Sequence, residues 1–385
     1  MISIKNATDC CGCYSCYNSC PIGCIAMKED QEGFIYPIID ISKCVNCNSC
    51  INSCPIINSN RLSDDKNTDK ISFAAYSNND SLLKASSSGG IFSVLSMKIM
   101  SEGGVVFGAS FDDSFSVVHK AIEDVSMLST IQGSKYVQSS LITTYKDVKT
   151  RLKSGQKVLF SGTPCQVAAL KCYLNKSYEN LITIDVVCHG VPSNTLWKKY
   201  LNEKSRGIVR SVSFRDKKTG WKSYSLTIHS KKWFSVIHNY SSYMRAYIYG
   251  LSIRPSCYEC QYKGDNHCSE ITLGDFWGIQ NVVPRLCDVD GVTWIILNNA
   301  KGKELFDSIK DDSLDFYPVI TQEANKYNPS YSFSTPIPKE RQEFFERINV
   351  ESFDKVVNKD LCKISLKSRI IYSIKNAIRN VQHNR

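Results

Sequence analysis

The chain has 385 residues, 42% hydrophobic and 22% charged, which is the composition of a globular protein and excludes disordered or fibrous classes. Lysine plus arginine number 47 against 37 acidic residues, a formal charge of +10. No apolar run approaches the roughly 20 residues of a bilayer-spanning helix, and residues 1–6 lack the basic-then-apolar pattern of a signal peptide, so a cytoplasmic protein is expected.

Eighteen cysteines in such a chain point to metal chemistry rather than to disulfides. Ten of them fall before residue 55, in two identical frames 34 residues apart. Cys10-x2-Cys13-x2-Cys16-x3-Cys20-Pro21 is the first and Cys44-x2-Cys47-x2-Cys50-x3-Cys54-Pro55 the second. Three cysteines at intervals of three wrap a loop around one iron–sulfur cube. The fourth, on a short helix, points at the other cube, as in two-cluster ferredoxins. The spacing therefore assigns Cys10, Cys13, Cys16 and Cys54 to one 4Fe–4S cluster and Cys44, Cys47, Cys50 and Cys20 to a second. Zinc would ask for paired ligands, often with histidine, and no histidine precedes His119. Cys11 and Cys24 fall outside the frame and read as unliganded thiols near the clusters. Residues 33–38 read as a short strand covering them.

Residues 58–70 are polar and read as a linker. Beyond it, apolar runs alternate with helical stretches. Strands are expected at 104–111, 157–160, 180–188, 208–214, 224–229, 234–238 and 293–297. Helices are expected near 91–100, 164–174, 194–204 and 301–310. The fold class is α+β: a small two-cluster ferredoxin domain joined to a larger mixed α/β domain with a central sheet, ending in a helical C-terminal extension. The boundaries are 1–60 for the ferredoxin domain, 61–72 for the linker, 73–320 for the large domain and 321–385 for the extension. In the extension Ile370, Ile371, Ile374, Ile378 and Val381 recur at helical spacing, with Lys363, Lys367, Arg369, Lys375 and Arg379 between them. That pattern suits a helix packed on the body; peripheral contact with an anionic membrane is the second reading.

Two strand–loop–helix junctions carry candidate chemistry. Ser86-Ser87-Ser88-Gly89-Gly90 opens a helix and exposes N–H groups where a phosphate can sit, although serine and glycine also serve as simple caps. Gly162-Thr163-Pro164-Cys165 has the same logic and delivers a thiol to a strand end. Cys188, in Val187-Cys188-His189-Gly190, is another strand-end thiol, and Cys257-x2-Cys260 is a close pair. From spacing alone Cys165, Cys188, Cys257 and Cys260 are a third cluster, a structural zinc site or buried thiols. The loops 133–139 and 273–278 hold aromatic and charged groups between glycines and suit contact with a ring or a substrate. Lys217, Lys218, Lys222, Lys231 and Lys232 form basic loops that could attract an anionic substrate or an acidic ferredoxin, although a solvated hairpin is the more common outcome of such a pattern. His189 is either a proton donor or a hydrogen-bonded loop histidine, and the catalytic group is unassigned.

The ordered strings SSSGGIFSVL, GGVVFGASFDD, GSKYVQS, VLFSGTPCQVAALK, VVCHGVPS, SFRDKKTGW, IRPSCYECQYKGDNHCSEITLGDFWGI and DGVTWIILNNAKGKELF resemble the beta-subunit family of coenzyme F-420 hydrogenases and dehydrogenases. The resemblance covers roughly residues 73–310, with a dicluster ferredoxin segment fused in front. It implies an iron–sulfur flavoprotein oxidoreductase with FAD in the large domain. It implies a third 4Fe–4S cluster at Cys165, Cys188, Cys257 and Cys260, with Cys268 as a substitute ligand. For the flavin it implies Ser87, Ser88, Gly89, Gly90, Lys135, Tyr136 and Gln138, with Gly162 and Thr163. Electrons would pass between a ferredoxin-like carrier or redox partner protein and a small organic substrate, through the clusters and FAD. The alternative is an electron-transfer subunit of a larger complex with no substrate of its own. No nucleic-acid partner is expected, because the basic residues do not cluster with aromatics. Three clusters at about −2 each would bring the charge near +4, so the basic balance compensates for cofactors.

Overall fold

The computed structural model describes residues 1–62 and 70–365, with Ser368. The isoleucine stripe from Ile370 to Val381, with Lys367, Arg369, Lys375 and Arg379, lies outside the described residues, as does most of the expected linker.

The N-terminal segment repeats in backbone as it does in sequence. Gly12 and Asn46 both take left-handed φ (63° and 54°), as do Tyr14 and Asn48 (64° and 59°). Each turn feeds a short helix, Ser15–Ser19 and Ser49–Asn52. A hairpin of β1 (Ile25–Glu29) and β2 (Ile35–Ile39) lies between the frames, with Ile25 opposite Ile39. Its turn is held by Asp30, whose Oδ1 accepts from the N–H groups of Glu32 and Phe34. The expected strand at 33–38 is β2; its partner β1 carries no clear strand pattern, because Lys28 and Glu29 make its end polar.

The large body is built on an eight-stranded mixed sheet. Its strands are β3 (Ile71–Ser77), β4 (Val105–Phe111), β5 (Val117–Ile122), β6 (Val158–Gly162), β7 (Leu181–Val186), β11 (Ile271–Asp275), β12 (Thr293–Leu297) and β13 (Leu314–Val319). A separate antiparallel sheet holds β8 (Ser211–Asp216), β9 (Ser225–His229) and β10 (Trp233–Ile237). The large sheet runs β13-β3-β12-β11-β7-β6-β4-β5. Its centre, β11, β7, β6 and β4, is parallel, and the flanking strands are antiparallel. Both faces of the centre are covered, so β6 and β4 open on the apolar runs Val158-Leu159-Phe160 and Val105-Val106-Phe107, whereas β11, Ile271-Thr272-Leu273-Gly274-Asp275, carries no such run. One face packs Val94, Leu95 and Ile99 of the helix Ile91–Ser101; the other packs Val167 and Leu170 of the helix Pro164–Leu174.

The parallel order β4-β6-β7-β11 leaves the carboxyl ends of four strands at one rim, the place where open α/β sheets form ligand crevices. The described part of the extension does not stand apart from the body. Phe344, Phe345, Ile348, Phe353, Val356 and Val357 share one core with Trp197, Tyr200 and Tyr243. No helix among the described residues is long and apolar enough to cross a membrane.

Candidate functional site

Two small cavities lie inside the N-terminal segment. One is walled by Cys10, Cys13, Cys16 and Cys54, with Cys11, Ile2 and Ile4. The other is walled by Cys20, Cys44, Cys47 and Cys50, with Cys24, Ile22 and Val45. Each wall thus takes three thiols from one frame and the fourth from the other, the crossed sharing expected of paired cubes. Among the described residues no three His, Cys, Asp or Glu side chains gather so as to hold a single metal ion. The thiols ring a void instead, and that donor set fits a polynuclear cluster. The first cavity is turned inward, with Cys13, Cys16 and Cys54 buried. The second is turned outward, with Cys47 exposed.

The two thiols outside the frame are not idle neighbours. Cys11 is a free, buried thiol that interacts with the side chains of both Cys13 and Cys165. Cys24 stands 3.5 Å from Cys20 and shares the wall of the second cavity.

The rim of the large sheet holds a cavity of about 290 Å³, at the lower edge of the roughly 300–1,000 Å³ typical of small-molecule sites. Strand ends supply Ala109, Gly162, Val186 and Asp275; loops supply Ser87, Lys135 and Tyr136. Of the nine flavin residues expected from the sequence, Ser87, Ser88, Gly90, Lys135, Tyr136, Gly162 and Thr163 line this cavity. Gly89 and Gln138 do not. Gly89 is pressed against β3, where an added Cβ would fall 2.4 Å from the Ala75 carbonyl oxygen. The Gln138 amide donates to the carbonyls of Cys11 (2.9 Å) and Gly12 (3.2 Å), so it fastens the N-terminal segment to the body.

The serine loop is pinned from outside. Ser87 Oγ accepts from the Ser134 N–H (2.7 Å), and Ser88 Oγ donates to the Val292 carbonyl (2.9 Å). Lys217 is buried and donates to the carbonyls of Leu83 and Asp290 (2.6 Å each) and of Ser88 (3.3 Å). This corrects the reading of Lys217 as part of a basic attracting loop: the charge braces the loop from behind. Lys222 is exposed and bonds Gln280 at the surface (2.9 Å).

Arg215, from the string SFRDKK, is a site residue that sequence reasoning missed. It is almost wholly buried and grips Asp275 with both nitrogens, at 2.7 and 3.1 Å. The same guanidinium donates to the Tyr136 hydroxyl (3.0 Å) and the Ser87 carbonyl (2.9 Å). It lies 4.1 Å from the Tyr224 ring centre. Three segments of cavity wall are thereby fixed by one cation. Trp277, from the 273–278 loop, stacks on Trp221 (5.0 Å) and not into the cavity.

Two cavity groups are electrically distinctive. Burial lowers the Lys135 ammonium to a pKa of about 7. Its hydrogen bonds go to the neutral carbonyls of Gln132 and Gly133. Burial also lowers His119 to about 4; its Nε2 meets the Ser161 carbonyl at 2.8 Å, and its Nδ1 has no partner. A partly buried cation without a carboxylate and an orphaned ring nitrogen are the features a polar anionic cofactor would satisfy. His189 is turned away from the cavity, with Nε2 at the Tyr247 carbonyl (3.2 Å) and Nδ1 near Thr335 Oγ1 (3.3 Å).

Cys165, Cys188, Cys257 and Cys260, carried on three loops, lie within electrostatic reach of one another. Burial pushes the Cys188 thiol up to about 12, with the nearby charges of Cys165 and Cys260 adding to it. Burial also raises Cys257, which feels Cys188, Cys165 and Cys260. Cys188 in addition lines the 290 Å³ cavity, so the four-thiol group abuts it. Cys268 is partly buried, with its carbonyl bonded by Lys171, and is not among the groups that act on Cys188 or Cys257.

Residues 155–319 match the family model for the C terminus of the coenzyme F420 hydrogenase/dehydrogenase beta subunit, and residues 9–56 match the 4Fe-4S dicluster domain. All four of Cys165, Cys188, Cys257 and Cys260 fall within the residues matched to the beta-subunit model, whereas Ser87 and Lys135 precede them. Among solved structures, a chain of the F420-reducing nickel–iron hydrogenase complex from Methanosarcina barkeri is similar at 16% identity and a TM-score of 0.46, over 69% of this chain and 90% of that one. No curated protein matches the chain.

Proposed function

We propose that the protein is an iron–sulfur flavoprotein oxidoreductase. It would move electrons between a ferredoxin-like carrier and a small organic substrate through three 4Fe–4S clusters and FAD. The domains are read as 1–60, 73–320 and 321–385, with 61–72 as the linker. The observation that carries the reading is the position of Cys188, which lines the cavity and lies within electrostatic reach of Cys165, Cys257 and Cys260.

Cys10, Cys13, Cys16 and Cys54 would hold the inner ferredoxin cluster, and Cys20, Cys44, Cys47 and Cys50 the outer one. Cys165, Cys188, Cys257 and Cys260 would hold the third. The outer set includes the exposed Cys47 and is flanked by exposed Ile22 and Val45, an apolar surround suited to a docking carrier. Inward from it come the Cys10 set, then Cys11, then Cys165, then Cys188 at the cavity. A flavin supplies the exchange between single electrons and electron pairs. The chain's own groups would hold it. Lys135 would face its anionic part, Ser87 and Gly90 would present the loop backbone, and His119 Nδ1 would accept a hydrogen bond. The cavity is mostly apolar, which excludes water from the reacting ring.

The test is anaerobic purification with a visible spectrum, acid extraction of flavin and iron analysis. About twelve iron atoms and one flavin per chain are expected. Iron–sulfur absorbance with no extractable flavin would leave an electron-transfer subunit and end the flavoprotein reading.

A further inference from the structure

Arg254 lies at the seam between the N-terminal segment and the body, only 1% exposed. Its Nε donates to the Cys10 carbonyl (2.7 Å), Nη2 to the Ile35 carbonyl (2.9 Å) and Nη1 to Gln138 Oε1 (3.1 Å). Its guanidinium lies 4.3 Å from the Tyr36 ring centre and 5.6 Å from that of Phe34. Gly12 approaches so closely that an added Cβ would be 2.6 Å from Nη1.

Every one of these partners is neutral. Among the described residues no carboxylate lies within ion-pair distance of Arg254, although its neighbour at the seam, Arg341, has Glu32. A guanidinium does not lose its proton in a folded protein, and a buried charge without a counter-charge is costly. Cys10 leads the groups that favour its charge, followed by Tyr36, Cys11 and Cys257, and Arg254 in turn acts on Cys165. The second frame has no equivalent among the described residues. The cations near its cavity lie at the surface: Lys43 is exposed and paired with Asp40 at 3.0 Å, and the Met1 amino group, which acts on Cys47, belongs to an exposed residue.

We propose that Arg254 is the counter-ion of the cluster held by Cys10, Cys13, Cys16 and Cys54 and holds that cluster's reduction potential up. The inference rests on the cluster assignment above. Reduction adds one electron and one negative charge to a cluster already near −2, and burial opposes that addition. A fixed positive charge beside Cys10 offsets the opposition, so an electron entering from the outer cluster settles inward. Arg254 is a positioning residue for charge, since it touches the ligand loop and not a substrate.

The experiment is an EPR-monitored titration of the full-length, anaerobically purified protein with dithionite. Iron content is measured first. Cys47→Ser identifies the outer-cluster signal. Arg254→Gln is expected to weaken the electron affinity of the inner cluster about tenfold, ~59 mV for one electron, and to leave the outer signal in place. Arg254→Lys keeps the charge and should shift it less. Gln138→Glu would place a carboxylate on the guanidinium without removing it, and should move the inner signal in the same direction as Arg254→Gln. An unmoved inner signal with full iron in Arg254→Gln and Gln138→Glu would overturn the proposal, as would equal shifts in the Gln and Lys variants at position 254. If Arg254→Gln does not retain iron, Gln138→Glu decides. Wild-type protein without iron would sink the cluster assignment itself, a different outcome.

Discussion

Ser19 and Ser53 meet hydroxyl to hydroxyl at 2.8 Å. They are equivalent positions of the two frames, so the contact marks the point where the repeats turn about one another. Each serine immediately precedes the last cysteine of its frame, and the meeting carries Cys20 and Cys54 across to opposite cavities.

The crossing has a consequence for paired substitutions. Cys47→Ala with Cys54→Ala changes two residues of one frame yet strikes both cavities, so about eight iron atoms should be lost. Cys13→Ala with Cys54→Ala strikes one cavity and should cost about four. Iron analysis with EPR of the reduced protein checks this. The reverse pattern, about four lost in Cys47→Ala with Cys54→Ala and about eight in Cys13→Ala with Cys54→Ala, would mean that each frame fills its own cluster.

Arg215→Met should destabilise the body by about 3–5 kcal/mol, because it leaves Asp275 partly buried and unpaired. It also frees Tyr136 and the Ser87 carbonyl, so bound flavin should fall. Urea unfolding and flavin content report the two effects. A stability loss below about 1 kcal/mol would show that the pair is screened like an exposed one.

Lys135 predicts the pH dependence of flavin binding. Its folded, flavin-free pKa is about 7, and an anion beside it stabilises the charged form and raises that value. Affinity should therefore be full below pH 7. Above it, affinity should fall by up to roughly tenfold per pH unit until the raised pKa of the complex is passed. Lys135→Gln should bind weakly and evenly across the range. Flavin fluorescence titrations between pH 6 and 9 measure it; a flat wild-type profile would separate Lys135 from the anion.

Cys257→Ser should lower iron from about twelve atoms toward eight and leave the two ferredoxin signals unchanged. Cys268→Ser should change neither, since that thiol is not among the groups that act on Cys188 or Cys257. Iron retained in full in Cys257→Ser would remove this cysteine from the ligand set.

Much of the fold is legible from local pattern. The helix at 194–204 and the strand at 293–297 fall where periodicity puts them, because a cap at Ser193 and an unbroken apolar run are local signals. The strands β5 and β13 escape that pattern. They lie at the two edges of the large sheet, and His119 and Lys120 in one and Asp315 and Pro318 in the other dilute the apolar run that marks β4 and β6. The glycines of the serine loop divide for a reason no spacing records. Gly90 opens the helix Ile91–Ser101 at φ 83° beside the cavity, whereas Gly89 is needed for close approach to β3.

The sequence by itself determined the two ferredoxin frames and their crossed sharing, since cube geometry dictates ligand spacing over a few residues. It also marked most of the serine, Lys135 and Gly162 surfaces, which stand at strand–helix junctions. Only the tertiary structure decided which cysteines meet across hundreds of residues. It set Cys11 to interact with Cys13 and Cys165, joined Cys188 to the cavity and left Cys268 out. It alone turned Arg215, Lys217, Gln138 and Arg254 inward as braces. A basic residue in a sequence carries no sign of whether its charge faces water or a carbonyl, because that is settled by the packing of segments far apart in the chain.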